Sequence, residues 1–422
     1  MAKKKPKRGG RTTPPGTRPR QIRRRSDVDD GPDLVDDVRQ ALQSGEPLQV
    51  LALASMMIEV STERPLQRYL HRPVDSPDLG MLITSFVESG FPEMAAFATV
   101  MLPMIERGEL AGLAHELAAE LALEKPFEPA WLNDLEGLAI TGAQLMSDVL
   151  GDGDNIIVGA VLPSGHPFTA VLFVDHNMSS LAKDAFMVPA PIDDVVAHFR
   201  RLPGSCRSGD ITFKRLDPAD ARARIEDAIK TFEIMLPPVE TNTWPMCRPL
   251  VEWIVSKLPR DARPPDPPEF SEEYGDAIVA AFLTSRFAQE MAAETGLSRD
   301  DARSLTSPLI WFASGHGVGD ALRWSPQSVE IVLLDWYPRK VMMPEDILRR
   351  LPDVLVALVR YAHDQRDIRP GLTASTLKVI QECTPDYLRS VSSTSSSHHH
   401  SPFDFLDDDN DEDYRDDDSL RS

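Results

Sequence analysis

The residues with the clearest potential for chemistry lie in one stretch, VLFVDHNMSSLAKDAF, at positions 171–186. An apolar run stops there at a group of polar side chains. A histidine beside carboxylates can act as a general base or as a metal ligand. Ligand sites also occur often where a strand of a rigid scaffold ends. The stretch therefore predicts a candidate catalytic site made of Asp175, His176, Asn177, Lys183 and Asp184.

The same residues also admit a purely structural explanation. Asp175 or Asn177 can cap the turn after the strand, because short polar side chains hydrogen-bond to nearby backbone groups. His176 would then be a surface residue, and Lys183 and Asp184 would be solvated charges. Under the catalytic interpretation, His166 in the preceding loop is a further candidate. Both interpretations stay open from the sequence.

Three other motifs give weaker signals. SGHGVGD at 314–320 carries three glycines, but it follows a predicted helix and its spacing does not match a dinucleotide fingerprint. The segment 288–308 has helix-turn-helix spacing, but Asp300 and Asp301 open its second helix and would repel DNA phosphates. The histidines at 398–400 lie in a serine-rich tail. No HExxH, GxSxG or Walker-type motif occurs, and we assign no metal-binding or cofactor-binding residues.

The basic N-terminal tail is the most informative feature of the sequence. Residues 1–25 hold eleven Lys or Arg and no acid, a composition that attracts nucleic acid through counterion release. The tail has no aromatic residue on which bases could stack, so we expect contact that depends on salt but not on base sequence. A solubility role, or folding back onto acidic parts of the chain, are the alternatives. The candidate nucleic-acid-binding residues are Lys3, Lys4, Lys5, Lys7, Arg8, Arg11, Arg23, Arg24 and Arg25.

The bulk composition bounds the class of protein. Residues 401–422 carry a net charge of −8, and because the 422-residue chain as a whole is at −21, residues 26–400 carry −24. The three cysteines form no CxxC pair, which favours a reducing compartment over a disulfide framework. No apolar run approaches the roughly 18 residues of a membrane span, and none follows the basic N-terminus as in a secretory signal. We expect a cytoplasmic protein without a membrane span.

The elements that would position these residues fall into three parts. Residues 33–150 show helical periodicity rich in Leu, Ala and Met, which predicts a helical domain whose last helix, from 131, ends at Gly151. Residues 151–260 predict a small α+β domain. It contains a β-hairpin around a five-residue loop at 163–167, with 168–175 as a central strand, then a helix, a strand at 210–216 and another helix. The fold class predicted is α+β.

A proline-rich linker at 261–269 and a second helical domain at 270–390 complete the predicted body. The apolar stripe of that domain includes Val329, Val332, Leu333 and Trp336, which is typical of a core-facing helix. Residues 1–32 and 391–422 have too few apolar side chains to offset the entropy of ordering, so we predict disordered tails.

Two segments, VDHNMSSLAKDAF and LRWSPQSVEIVLLDWYPRKV, resemble stretches of uncharacterised proteins of high-GC Gram-positive (actinobacterial) bacteria. The resemblance covers much of residues 130–380. It implies a bacterial origin and carries no catalytic assignment.

Two functional hypotheses from different classes follow. The first is a non-enzymatic cytoplasmic adaptor or regulatory protein, with helical surfaces for protein partners and residues 1–25 on nucleic acid or ribosome. The second is an enzyme, either a hydrolase or a metal-dependent activity, with its site near Asp175, His176 and Asn177. The two predict different surroundings for His176: a cleft shared with other titratable groups, or open solvent.

Overall fold

The computed structural model describes residues 34–62, 78–106, 110–121, 129–202, 209–235, 243–264, 271–315 and 319–394. The predicted tail at 1–32, with every candidate nucleic-acid-binding residue, lies outside these ranges. The acidic tail was predicted to begin at 391, which is too early. The last helix continues to Thr394, and Val391 is buried within it.

Five helices open the described chain, as the periodicity predicts. Proline occupies the first turn of the second and fourth, where its missing N–H costs no hydrogen bond. Their bounds are α1 Leu34–Gln43, α2 Pro47–Ser61, α3 Leu79–Glu88, α4 Pro92–Ile105 and α5 Ala111–Leu121.

The predicted helix from 131 to 151 is wrong. A 3-10 segment, Ala130–Gly137, leads instead into strand β1, Ala139–Asp148. This strand pairs with two other strands, one on each side. Sheet hydrogen bonds on both edges override the high helix propensity of its Leu, Met and Ala residues.

A five-stranded antiparallel sheet follows, with the order β4-β3-β2-β1-β5. The predicted hairpin is confirmed, and β3 is an inner strand as expected. Strand β4 was not predicted; it is an edge strand, and edge strands readily carry charged residues such as its Lys183 and Asp184. The remaining strands are β2 Gly153–Val161, β3 Pro167–Asp175, β4 Leu181–Val188 and β5 Ile211–Leu216.

Helices cover both faces of the sheet. Helix α6, Ile192–Arg201, packs Ile192, Val195 and Val196 against Ile157 and Val171 on one face. The other face shares one hydrophobic core with α1 to α5 and with two helices, α7 Pro218–Ile234 and α8 Trp244–Ser256. The described residues between 34 and 264 therefore pack together, and we call them the α+β unit.

The remaining helices form the C-terminal helical unit, residues 271–394, around a core of their own. The predicted stripe is confirmed, since Val329, Val332, Leu333 and Trp336 are all buried. The bounds are α9 Glu272–Thr284, α10 Arg286–Thr295, α11 Arg299–Gly315, α12 Pro326–Ile331, a π-helical segment Val332–Trp336, α13 Tyr337–Lys340, α14 Glu345–Leu348, α15 Leu351–Gln365 and α16 Pro370–Thr394. The fold is α+β, as predicted. No described helix is long and apolar enough to cross a bilayer.

Candidate functional site

The predicted site lies at one end of the sheet, where β3 ends, β2 begins and β4 begins. In the register, Asp175 is opposite Gly153 on one side and opposite Leu181 on the other. This register brings two acids that flank Gly153 beside the predicted residues. We call the resulting group the sheet-end cluster: Asp152, Asp154, Asp175, His176, Asn177 and Lys183.

Asp175 is the most deeply buried member, with an exposed fraction of 0%. Its Oδ1 accepts the backbone N–H of Asn177 at 2.9 Å and so caps the short 3-10 turn His176–Met178. Its Oδ2 accepts a hydrogen bond from Lys183 Nζ at 2.5 Å and one from Gln327 Nε2 at 3.4 Å. Both carboxylate oxygens are thus committed to groups of the protein, and the predicted capping role is confirmed.

Asn177 connects the turn to Asp152. Its Nδ2 donates to Asp152 Oδ1 at 2.8 Å, while its own Oδ1 is buried without a hydrogen-bond partner among the described residues. Burial raises the pKa of Asp152, and the nearby charges of Asp148 and Asp175 add to that effect. Hydrogen bonds with Ser325 and Asn177 oppose it. The sheet end therefore holds carboxylates that repel one another unless neighbouring donors stabilise them.

His176 lies between two oxygen atoms. Its Nε2 is 3.1 Å from Asp154 Oδ2, and its Nδ1 is 2.9 Å from Ser180 Oγ. Burial raises the pKa of Asp154, but hydrogen bonds from His176 and Ser147 outweigh burial and the net pKa is lowered. Asp154 is thus the negatively charged partner of His176. The imidazole is not alone in solvent, since 26% of its side chain is exposed.

Two predicted members do not join the cluster. Asp184 accepts the backbone N–H of Ala185 at 2.9 Å and lies near Cys247 of α8, whose thiol pKa is raised by burial and by the charge of Asp184. Lys183 is the extra residue of a β-bulge, since Val174 pairs with Ala182 and Phe173 with Asp184. His166 binds Ser164 Oγ in the loop at the other end of β3, roughly 30 Å away along the strand.

Side chains of the C-terminal helical unit reach the same end of the sheet. Besides Gln327, Arg323 donates through Nη1 to the carbonyl of Val149 at 2.7 Å. Arg369 forms a forked pair with Asp210, just before β5, through Nε at 2.8 Å and Nη2 at 2.6 Å. With the bond between Ser325 and Asp152, these contacts make the sheet end a polar joint between the two units.

The remaining motifs show ordinary helix-end chemistry where they are described. Gly296 has a φ of 68° and ends α10, and Ser298 accepts the backbone N–H of Asp301 at the start of α11. Gly315 ends α11, whereas 316–318 and the histidines at 398–400 lie outside the described residues. Within the described ranges, no group of three or more His, Cys, Asp or Glu side chains could hold a metal ion.

Several residues of the joint were not predicted from the sequence. Asp152 and Asp154 could have been found, because a hairpin centred on 163–167 places the start of β2 beside the end of β3. Gln327 and Arg369 could not, since they approach from helices far along the chain. No protein-family model, no curated protein and no solved structure matches this chain.

Proposed function

We propose that this chain is a non-enzymatic cytoplasmic adaptor or regulatory protein of bacterial origin. The observation that supports the proposal most directly is the environment of Asp175, whose two carboxylate oxygens contact Asn177, Lys183 and Gln327. A catalytic acid or base must come within hydrogen-bonding reach of its substrate. Asp175 instead stabilises a turn, an edge strand and a second unit of the same chain.

The adaptor would contact nucleic acid or ribosome through residues 1–25. Eleven positive charges in that tail, set against an acidic body, favour a role as an electrostatic attachment to phosphates. Its lack of aromatic residues argues for a contact that does not select base sequence. The folded units would supply the surfaces that recognise protein partners.

Titration of labelled RNA and duplex DNA tests this attachment. Full-length protein should bind both, and affinity should fall at least about 100-fold between ~50 and ~200 mM salt. Protein lacking residues 1–25 should not bind, whereas protein lacking residues 401–422, a deletion of similar length but opposite charge, should bind at least as tightly. Equal binding with and without the basic tail, or no binding by any form, would contradict the proposal.

One observation favours a second candidate function, a hydrolase. Asp154, His176 and Ser180 are connected as the acid, base and hydroxyl of a serine nucleophile, at 3.1 and 2.9 Å. When His176 donates its Nε2–H to Asp154, its Nδ1 can accept the proton of the Ser180 hydroxyl. Ser180 also has a φ of 60°, an uncommon conformation for a non-glycine residue.

A fluorophosphonate probe separates the two candidates. An activated Ser180 would attack phosphorus, pass its proton to His176 and release fluoride, leaving a covalent phosphonyl serine. Labelling that is lost in Ser180→Ala and kept in Ser179→Ala would establish the hydrolase. We expect no labelling in either variant or in the unsubstituted protein.

A further inference from the structure

An open cleft of about 670 Å³ lies between α2, α8 and the end of β4. Helix α2 contributes Leu48, Leu53 and Met56 to its wall, β4 contributes Phe186 and Met187, and α8 contributes Met246. The cleft differs chemically from the polar joint, because its lining is mostly apolar. Its volume is in the range of sites that bind a ligand or a partner segment.

The apolar side chains of this cleft are unusually accessible. Met56, Phe186 and Met246 are 36%, 42% and 42% exposed, although each is a large hydrophobic residue. Contiguous apolar surface of this kind marks interaction sites. Methionine adapts its shape to different partners and recurs on surfaces that bind peptides. The chemistry therefore favours a binding surface for apolar side chains.

The length of the cleft suits a helix. Its wall on α2 extends from Glu46 to Met56, which corresponds to about 15 Å at a rise of 1.5 Å per residue. A bound helix with anchors at i, i+4 and i+7 extends over roughly 10 Å between its first and last anchor. Three anchor side chains thus fit along α2.

The one charged residue among the described lining residues of the cleft is negative. Glu46 lines one end, and no Lys or Arg is among the described lining residues. Burial, with the nearby charge of Asp184, raises the pKa of the Cys247 thiol in the cleft wall to about 11. Basic side chains on a partner would therefore be attracted, and acidic ones would be repelled.

These charges select among the occupants. The segment 401–422 contains apolar residues, but its ten acids make it a poor match for a negative cleft. Residues 1–25 have the right charge but only Met1 and Ile22 as large apolar residues. We propose that the cleft binds a basic amphipathic helix of a partner protein, with three apolar anchors against Met56, Phe186 and Met246. This inference rests on the proposed adaptor role.

The test uses full-length protein and a fluorescent helical peptide of Leu and Lys. The peptide has about 18 residues, or five turns, with Leu at i, i+3, i+4 and i+7. A scrambled peptide of the same composition lacks the apolar face, and a third peptide carries Glu in place of Lys. At ~200 mM salt we expect the amphipathic Leu/Lys peptide to bind at least about ten-fold tighter than either of the others.

Paired variants locate the binding. Met56→Lys with Met246→Lys should weaken Leu/Lys peptide binding at least about ten-fold, because two positive charges enter the cleft. Met81→Lys with Met342→Lys makes the same change in charge at positions 71% and 96% exposed, and should leave affinity unchanged. Circular dichroism would confirm that both pairs are folded.

Several results would overturn the inference. The scrambled peptide could bind as tightly as the amphipathic Leu/Lys peptide, or the control pair could lose as much peptide affinity as the Met56→Lys and Met246→Lys pair. The protein could take up a dansylated fatty acid without binding the peptide. Finally, the affinity for the peptide could rise ten-fold when residues 395–422 are removed. The last result would identify the acidic tail as the occupant. The peptide titration is independent of residues 1–25, so its failure is distinguishable from a failure of tail-dependent nucleic-acid binding.

Discussion

The carboxylates of the sheet-end cluster differ because their neighbours differ. Asp154 is stabilised as the anion by His176 and Ser147, whereas burial dominates at Asp152 and raises its pKa. Asp175 is buried with a direct cation partner in Lys183. Three aspartates at one end of the sheet thus have different roles. Asp154 accepts hydrogen bonds as the anion, Asp152 is an acid whose charge is disfavoured by burial and by its neighbours, and Asp175 is half of an ion pair.

Removal of the cation partner of Asp175 should be costly. Lys183→Met leaves a carboxylate that is 1% exposed without its ammonium partner, and Lys183 itself is 31% exposed. We expect the free energy of unfolding to fall by about 2 kcal/mol, below the usual cost of breaking a fully buried pair because water reaches Lys183. Urea denaturation measures this loss.

A double substitution tests whether the loss of stability comes from the unpaired charge of Asp175. Asp175→Asn in the Lys183→Met background removes the unpaired charge, while Asn Oδ1 can still accept the Asn177 N–H. Stability should return in part, giving a favourable coupling energy in a double-mutant cycle. Additive losses would show that the two side chains do not act as a pair.

Asp152 gives a dependence on pH with a defined sign. Its pKa is raised in the folded state, so this group contributes stability at low pH that is lost as the pH rises above the unfolded-state value and through the folded one. Asp152→Asn removes the ionisable group and with it the loss of stability at higher pH. At pH 7 the variant should be more stable than the unsubstituted protein, by on the order of 1 kcal/mol.

The comparison of two pH values checks that sign. Urea denaturation near pH 4 should show a smaller difference between Asp152→Asn and the unsubstituted protein than at pH 7. An Asp152→Asn variant that is less stable than the unsubstituted protein at pH 7, with a deficit that shrinks toward pH 4, would mean that the folded state favours the charged form of Asp152.

At the scale of elements, the close approach of β2 to β3 depends on Gly153. A Cβ at this position would lie 2.5 Å from the backbone carbonyl oxygen of Val174 and 2.5 Å from the ring of Phe173. The carbonyl cannot move without disturbing the strand pairing that aligns Asp152 and Asp154 with Asp175. Gly153 thus permits the arrangement of the cluster.

Gly153→Ala should therefore destabilise the protein, by about 2 kcal/mol, because overpacked sites force backbone shifts. Gly112→Ala is the control: nothing lies within 4 Å of a Cβ there, and it lies in α5, so alanine should stabilise by about 0.5 kcal/mol. Thermal unfolding of both variants measures the contrast. An equal effect at the two sites would contradict the close packing of β2 on β3.

Sequence patterns predicted the elements that depend on local signals. The hairpin, α6, α7 with its Asp217 cap and the buried stripe at 329–336 all follow from periodicity and capping residues. Strands β1 and β4 did not, because pairing within the sheet, of β1 with β2 and β5 and of β4 with β3, determines them rather than their own composition. The same holds for the site. The capping role of Asp175 depends on neighbouring residues and could be predicted, whereas the contacts of Gln327 and Arg369 depend on tertiary packing and could not.

At the scale of the whole molecule, two hydrophobic cores are connected by polar contacts. The α+β unit and the C-terminal helical unit bury separate apolar clusters, and Arg323, Gln327 and Arg369 cross between them. Polar interfaces between units within a chain permit relative motion more readily than large apolar ones. Removal of these polar contacts should therefore let the two units move relative to each other.

A measured distance between the two units tests the joint most directly. Spin labels at Ser85→Cys in α3 and Ser304→Cys in α11, both exposed positions, would be placed in a background with Cys206, Cys247 and Cys383 replaced by Ala. Double electron–electron resonance should give one narrow distance distribution.

The joint variant combines Arg323→Ala, Gln327→Ala and Arg369→Ala, and its distribution should broaden and shift to longer distances. The control combines Arg339→Ala, Lys378→Ala and Arg389→Ala, which remove ion pairs within single segments of the same unit, and should keep the narrow distribution. A joint variant that retains the original distribution would contradict the assignment of this end of the sheet as the joint between the two units.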